Sequence, residues 1–146
     1  MTIWFDMDGT LFDLYGVENW LEYLQNEDTY PYAVAKPMVN FALLARYIHK
    51  LQPRGVKFGI VSCTSKSGTK LYHAAIADTK INSLDKHLPS VHWDYIKIIP
   101  YGTNKYVECG GGILFDDEKR NRDQWGDDSY EPSQIMEVLK SLLRGE

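Results

Sequence analysis

The chain has 146 residues and a formal charge of −4, with 44% hydrophobic and 25% charged residues. One domain of that length buries a core without staples, and ordinary globular usage excludes wholesale disorder. The acidic balance argues against a general nucleic-acid coat protein, and no apolar run approaches the roughly 18–20 residues of a membrane span. The single domain is expected to span residues 1–146.

In chain order, residues 2–6 (TIWFD) read as a buried strand that stops at an acid. Residues 17–25 put Val17, Trp20, Leu21 and Leu24 on one helical face, and NEDTYPY breaks it. Pro37 can open a second helix, with Phe41, Leu44, Ala45 and Ile48 at helical spacing and Pro53-Arg54-Gly55 at its end. Residues 56–61 (VKFGIV) predict a second strand, followed by the polar loop SCTSKSGT and a helix over 69–78. The stretch 79–94 carries a weak signal, with a short helix around Ser83–His87. Residues 95–99 and 112–115 predict two more strands, stopped by Pro100-Tyr101-Gly102 and by Asp116-Asp117. No clear fifth strand follows, and Pro132 begins a last helix faced by Ile135, Val138, Leu139 and Leu142.

Short apolar strands alternating with helices predict an α/β fold, a parallel sheet with helices on both faces. Ligands in such sheets bind beyond the carboxyl ends of the strands. Here those ends carry Asp6, Ser62 and Asp116. Just past the first strand, Asp6-Met7-Asp8-Gly9-Thr10 sets two acids two residues apart, and Gly9 permits the tight backbone that turns both toward one pocket. Crowded carboxylates call for a cation, and oxygen ligands favour a hard one, Mg²⁺. A lone D-x-D is most simply a strand-end turn. D-x-D-G-T at average usage arises by chance in a chain of this length on the order of once in a thousand. Read alone, Ser62 is more simply the cap of a helix near Ser65, the run Lys119–Arg122 more simply a solvated face, and Gly110-Gly111-Gly112 more simply a plain turn. Trp4 reads as core. Cys63 and Cys109 lack ligand spacing, and the start MTIWFDMDGT lacks the basic, apolar character of a signal peptide, so a cytoplasmic protein is expected.

IWFDMDGTL resembles the first motif of the haloacid dehalogenase-like (HAD) hydrolases. VKFGIVS, closed by Ser62, is similar to the second, Lys105 falls where the third-motif lysine would, and GILFDDEKRN resembles the fourth. The resemblance implies a Rossmann-like HAD fold of the small-cap phosphatase type. It implies Asp6 as nucleophile, forming a transient aspartyl-phosphate, and Asp8 as the acid that protonates the leaving oxygen and then activates water. Asp6, the carbonyl of Asp8 and Asp116 would hold Mg²⁺, with Asp117 ligating through water or orienting its neighbour. Ser62 would donate to a phosphoryl oxygen, and Lys105 would offset charge on Asp6 and the phosphate; Lys97 and Lys66 are its alternatives in that role.

A large cap domain has no room here; only about residues 14–35 can form a minimal cap segment, which offers Tyr15, Trp20, Tyr30 and Tyr32 for stacking or packing. The resemblance thus implies a Mg²⁺-dependent phosphomonoester hydrolase acting on a nucleotide or other small phosphorylated metabolite, with neither a membrane nor nucleic acid as the expected partner. The alternatives are a polynucleotide-end phosphatase, a phosphotransferase, and a catalytically silent HAD-fold protein that binds a phosphorylated ligand or a partner chain. A receiver domain fits less well, since its phosphorylated Asp is expected on a later strand.

Overall fold

The computed structural model describes residues 1–145. Its elements run β1 (Thr2–Phe5), β2 (Phe12–Asp13), α1 (Trp20–Gln25), α2 (Tyr30–Val34), β3 (Lys36–Pro37), α3 (Phe41–Leu51) and β4 (Lys57–Cys63). They continue with α4 (Lys70–His87), β5 (Tyr95–Ile99), α5 (Lys105–Cys109), β6 (Ile113–Phe115), α6 (Lys119–Trp125), β7 (Ser129–Tyr130) and α7 (Ile135–Leu143). Five strands form one sheet in the order β5-β4-β1-β6-β7, and every ladder in it is parallel. β1 lies at the centre, between β4, the next strand of this sheet along the chain, and β6, which the chain reaches only after crossing back, and that is where an open α/β sheet forms its crevice.

Alternation along β1 assigns the two faces. Ile3 and Phe5 enter the larger core, which Leu44 and Ile48 of α3, Leu84 of α4, and Ile135 and Leu139 of α7 complete. Trp4 points the other way, into a smaller core with Val61, Leu114 and Trp125 of α6. Gly59, inside β4, is needed there because a Cβ would run into the Trp4 ring. Two further bonds pin the glycine run: Trp4 Nε1 donates to Gly111 O at 3.2 Å and Trp125 Nε1 to Gly112 O at 2.9 Å. Among the described residues no helix is long and apolar enough to cross a membrane.

Four expectations are corrected. Pro37 opens no helix; it pairs with Phe12 in a two-stranded antiparallel ribbon, where a residue without an N–H sits comfortably on an edge. α3 starts four residues later, and the Asn40 side chain caps it by accepting from Leu43 N–H at 3.1 Å. The helices expected at 69–78 and around 83–87 are one, α4, because burial of Tyr72, Ile76, Ser83 and Leu84 carries it through a polar stretch that lacks Gly and Pro. A fifth strand, β7, does exist, but its two residues are too short to show a period. The helix expected over 17–25 begins only at Trp20, after Asn19 takes a left-handed φ of 60°.

Candidate active site

Register brings the acids together. Phe5 pairs with Ile60 on one side and Phe115 on the other, so the next residue of β1 and the next of β6 leave the sheet at the same level. Those residues are Asp6 and Asp116, both buried, and Asp6 N–H donates to Phe115 O at 2.9 Å. Asp117 joins them: one carboxylate oxygen from each of Asp6, Asp116 and Asp117 lies within 4.8 Å of the others. Gly9 makes room for this, with φ +77 and no side chain where a Cβ would strike the Asp117 carboxylate. Thr10, fully buried, ties the loop to the cluster. Its hydroxyl accepts from Asp117 N–H at 3.2 Å and lies 3.2 Å from Asp6 Oδ2 and 3.4 Å from Asp117 Oδ1, the acceptors its single proton serves.

Lys105, buried at the first turn of α5, donates to Asp6 Oδ1 at 3.1 Å and to Asp116 Oδ2 at 2.6 Å. Of the alternatives to it, Lys97 donates to Glu108 O, while Lys66 sits over the Tyr101 ring at the rim of the same cavity and bonds none of the three acids. Ser62 is fully buried within β4 and caps nothing; α4 is capped by Thr69 instead. The side chain of Asp8, 18% exposed, bonds a second lysine, Lys80, at 2.8 Å. Lys119–Arg122 is not simply a solvated face: buried Asn121 donates to Asp116 Oδ2 at 3.1 Å and Arg122 to Asp116 O at 3.0 Å. Sequence reasoning missed Lys80, Thr10 and Asn121 as site residues. Only Thr10, inside D-x-D-G-T, carried a local signal.

The electrostatics favour a cation. Burial first, and then the charge of Asp6, push the carboxyl of Asp116 up to about 6 and that of Asp117 up to about 8. Burial alone would pull the Lys105 ammonium down, but Asp6 and Asp116 outweigh it and hold it charged. One lysine against three acids leaves excess negative charge on hard oxygen donors, and buried Asn121 Oδ1 beside them has no hydrogen-bond partner. The donor set therefore fits Mg²⁺.

A pH dependence follows. Without metal the folded protein keeps protons on Asp117 and Asp116 that the unfolded chain, at about 3.9, has released, so their contribution to stability falls as pH rises toward about 8. Mg²⁺ competes with those protons, so the rise in Tm on adding Mg²⁺ should grow between about pH 5 and about pH 8. Thermal melts with Mg²⁺ and with EDTA across that range check it; an equal rise throughout would contradict it.

A cavity of about 270 Å³ opens over the acids, with Asp6, Asp8 and Lys105 in its lining. Its outer wall comes from segment 14–35: Leu14, Tyr15, Trp20, Leu21, Leu24 and Tyr32. Tyr15 and Leu21 are 46% and 51% exposed, a large apolar surface facing a polar floor. The segment is fastened to α4, since Glu27 accepts from Thr69 N–H at 2.8 Å and from its hydroxyl at 2.7 Å, and Tyr72 donates to Asp28 O at 2.9 Å. Ser65, Lys66 and Tyr101 line the opposite side.

No protein-family model and no curated protein matches the chain. Among solved structures it is similar to the D,D-heptose 1,7-bisphosphate phosphatase of B. bronchiseptica, complexed with magnesium and phosphate. The TM-score is 0.59 at 11% identity, over 99% of this chain and 99% of that one. The D,D-heptose 1,7-bisphosphate phosphatase of Burkholderia thailandensis aligns at TM-score 0.48 and 12% identity, over 82% of this chain and 68% of that one. The first likeness shows that the architecture is the HAD-like, Rossmann-type α/β fold.

Proposed function

We propose that this chain is a Mg²⁺-dependent phosphomonoester hydrolase that works through an aspartyl-phosphate on Asp6. The observation that carries the reading is the cluster of Asp6, Asp116 and Asp117, with Lys105 bonded to the first two, next to a cavity that Asp6, Asp8 and Lys105 line. A fold does not need three acids at its central strand ends, since burying them costs stability. Phosphoryl transfer needs such a set, because its work is positioning and neutralising crowded negative charge.

In the proposed first step Asp6 attacks phosphorus, the bond from phosphorus to the ester oxygen breaks, and Asp8 delivers a proton to that oxygen. In the second, Asp8 takes a proton from water, the water oxygen bonds to phosphorus, and Asp6 leaves as a carboxylate. Lys105 holds Asp6 in place and balances its charge, and the Ser62 hydroxyl donates to a phosphoryl oxygen. Asp6, Asp116, Asp117 and the Asp8 carbonyl would hold Mg²⁺, which when bound neutralises phosphoryl charge.

Segment 14–35 acts as the small cap in this reading. A cavity just under the roughly 300–1,000 Å³ of common ligand pockets suits a compact metabolite rather than a polymer. Its aromatic and aliphatic outer wall favours an ester with a flat or apolar body, such as a nucleotide. The test is hydrolysis of p-nitrophenyl phosphate and of a panel of nucleotides and phosphorylated metabolites, with Mg²⁺ and with EDTA. Turnover that needs Mg²⁺ is expected. Turnover surviving exhaustive chelation would remove the metal assignment, and silence on every ester would favour a binding protein that lacks catalysis.

A further inference from the structure

Lys80 lies in the middle of α4, four residues after Ile76 and four before Leu84, on the stripe that helix buries. Its side chain is 1% exposed. A leucine would suit that position, because burying a charge costs more than packing an aliphatic side chain there. The ammonium nevertheless reaches the site and spends all three protons: on Asp8 Oδ2 at 2.8 Å, Ser62 Oγ at 2.8 Å and Cys63 O at 2.6 Å. The Tyr32 ring closes over it, with its centroid at 5.1 Å.

The geometry points to Lys80 as a positioning residue that aims Asp8 and Ser62 at the substrate, an assignment that rests on the hydrolase reading above. Lysine has no acceptor, so the Ser62 oxygen must accept from it. That fixes the direction of the hydroxyl and leaves its own proton for a phosphoryl oxygen. At Asp8 the same contact occupies Oδ2 and leaves Oδ1 to carry the proton exchanged with the leaving oxygen. The Cys63 carbonyl anchors the ammonium to the end of β4, so both groups are referred to one rigid strand. Lys105 cannot supply this function, because it is committed to Asp6 at the end of β1 and Asp116 at the end of β6.

A strut and a positioning residue differ in how they affect the leaving group. Proton delivery matters little when the departing phenol is acidic and much when it is not. Wild type, Lys80→Met and Lys80→Ala are therefore compared on aryl phosphates running from p-nitrophenyl to phenyl phosphate, with Mg²⁺ affinity read by calorimetry. With Lys80→Met the loss in kcat should be small for p-nitrophenyl phosphate and approach the ~10²–10⁴-fold of lost acid catalysis for phenyl phosphate. Mg²⁺ affinity should hold, since Lys80 bonds none of the three clustered carboxylates. Ethylammonium added to Lys80→Ala should restore rate, most for the poorest leaving group. Equal loss across the series, loss of Mg²⁺ binding along with rate, or no rescue by the amine would overturn the assignment while leaving the hydrolase reading standing. A wild type inactive on every ester would overturn both.

Discussion

Asp6→Asn should abolish turnover of every ester the wild-type protein hydrolyses, with a loss on the order of 10⁴–10⁶-fold, the scale of nucleophile removal in covalent enzymes. An amide is a poor nucleophile and a poor ligand for a hard cation. The same substitution should leave the fold intact. Asparagine keeps the shape of Asp6: its Oδ1 can still accept from Lys105, while its amide N–H, in place of Oδ2, can donate to the Thr10 hydroxyl, and it removes one negative charge from a cluster that pushes Asp117 up to about 8. The metal-free variant should therefore melt at or above the wild-type Tm while being inactive, as expected where a site is built at the cost of stability. Steady-state kinetics and a thermal melt on one preparation check both halves. Near-wild-type turnover in Asp6→Asn would remove the nucleophile assignment.

Lys105→Met should be the most destabilising single change at the site. Methionine matches the length of the lysine stem but leaves buried Asp6 and Asp116 without their cation. Breaking a buried ion pair from one side costs about 3–5 kcal/mol, which for a domain of this size lowers Tm by roughly 6–20 °C. Saturating Mg²⁺ should recover part of the loss, since it supplies positive charge to the same carboxylates. Differential scanning calorimetry with and without Mg²⁺ measures both effects. An unchanged Tm would mean that Lys105 does not neutralise the acids.

The sequence carried the sheet well because each long strand announced itself. TIWF, KFGIV and ILF are short apolar runs, and two of them end on acids. Register then did the rest, since parallel pairing of β1 with β4 and β6 brings Asp6, Ser62 and Asp116 to one end. Lys105 was legible by its place ahead of β6. Lys80 was not, for a physical reason: within DTKINS it looks like a solvated helix lysine, and only the docking of α4 buries it. Asn121 was hidden in the same way inside KRNR, on a helix whose polar sequence has no apolar period. Pro37 misled because proline suits a helix start and a strand edge equally well, and its partner Phe12 is 25 residues away, beyond any local pattern.

A phosphoryl group that passes through Asp6 leaves a covalent mark there, which can be trapped. Asp8→Asn keeps the proposed nucleophile but lacks the base for the second step, so with a reactive aryl phosphate and Mg²⁺ the adduct should accumulate. Rapid quench, borohydride reduction and peptide mass spectrometry then read which side chain carried the phosphate. Homoserine is expected at position 6 and nowhere else, and it should be absent when EDTA replaces Mg²⁺. Reduction products at Asp8, Asp116 or Asp117 in place of Asp6 would contradict a route through Asp6.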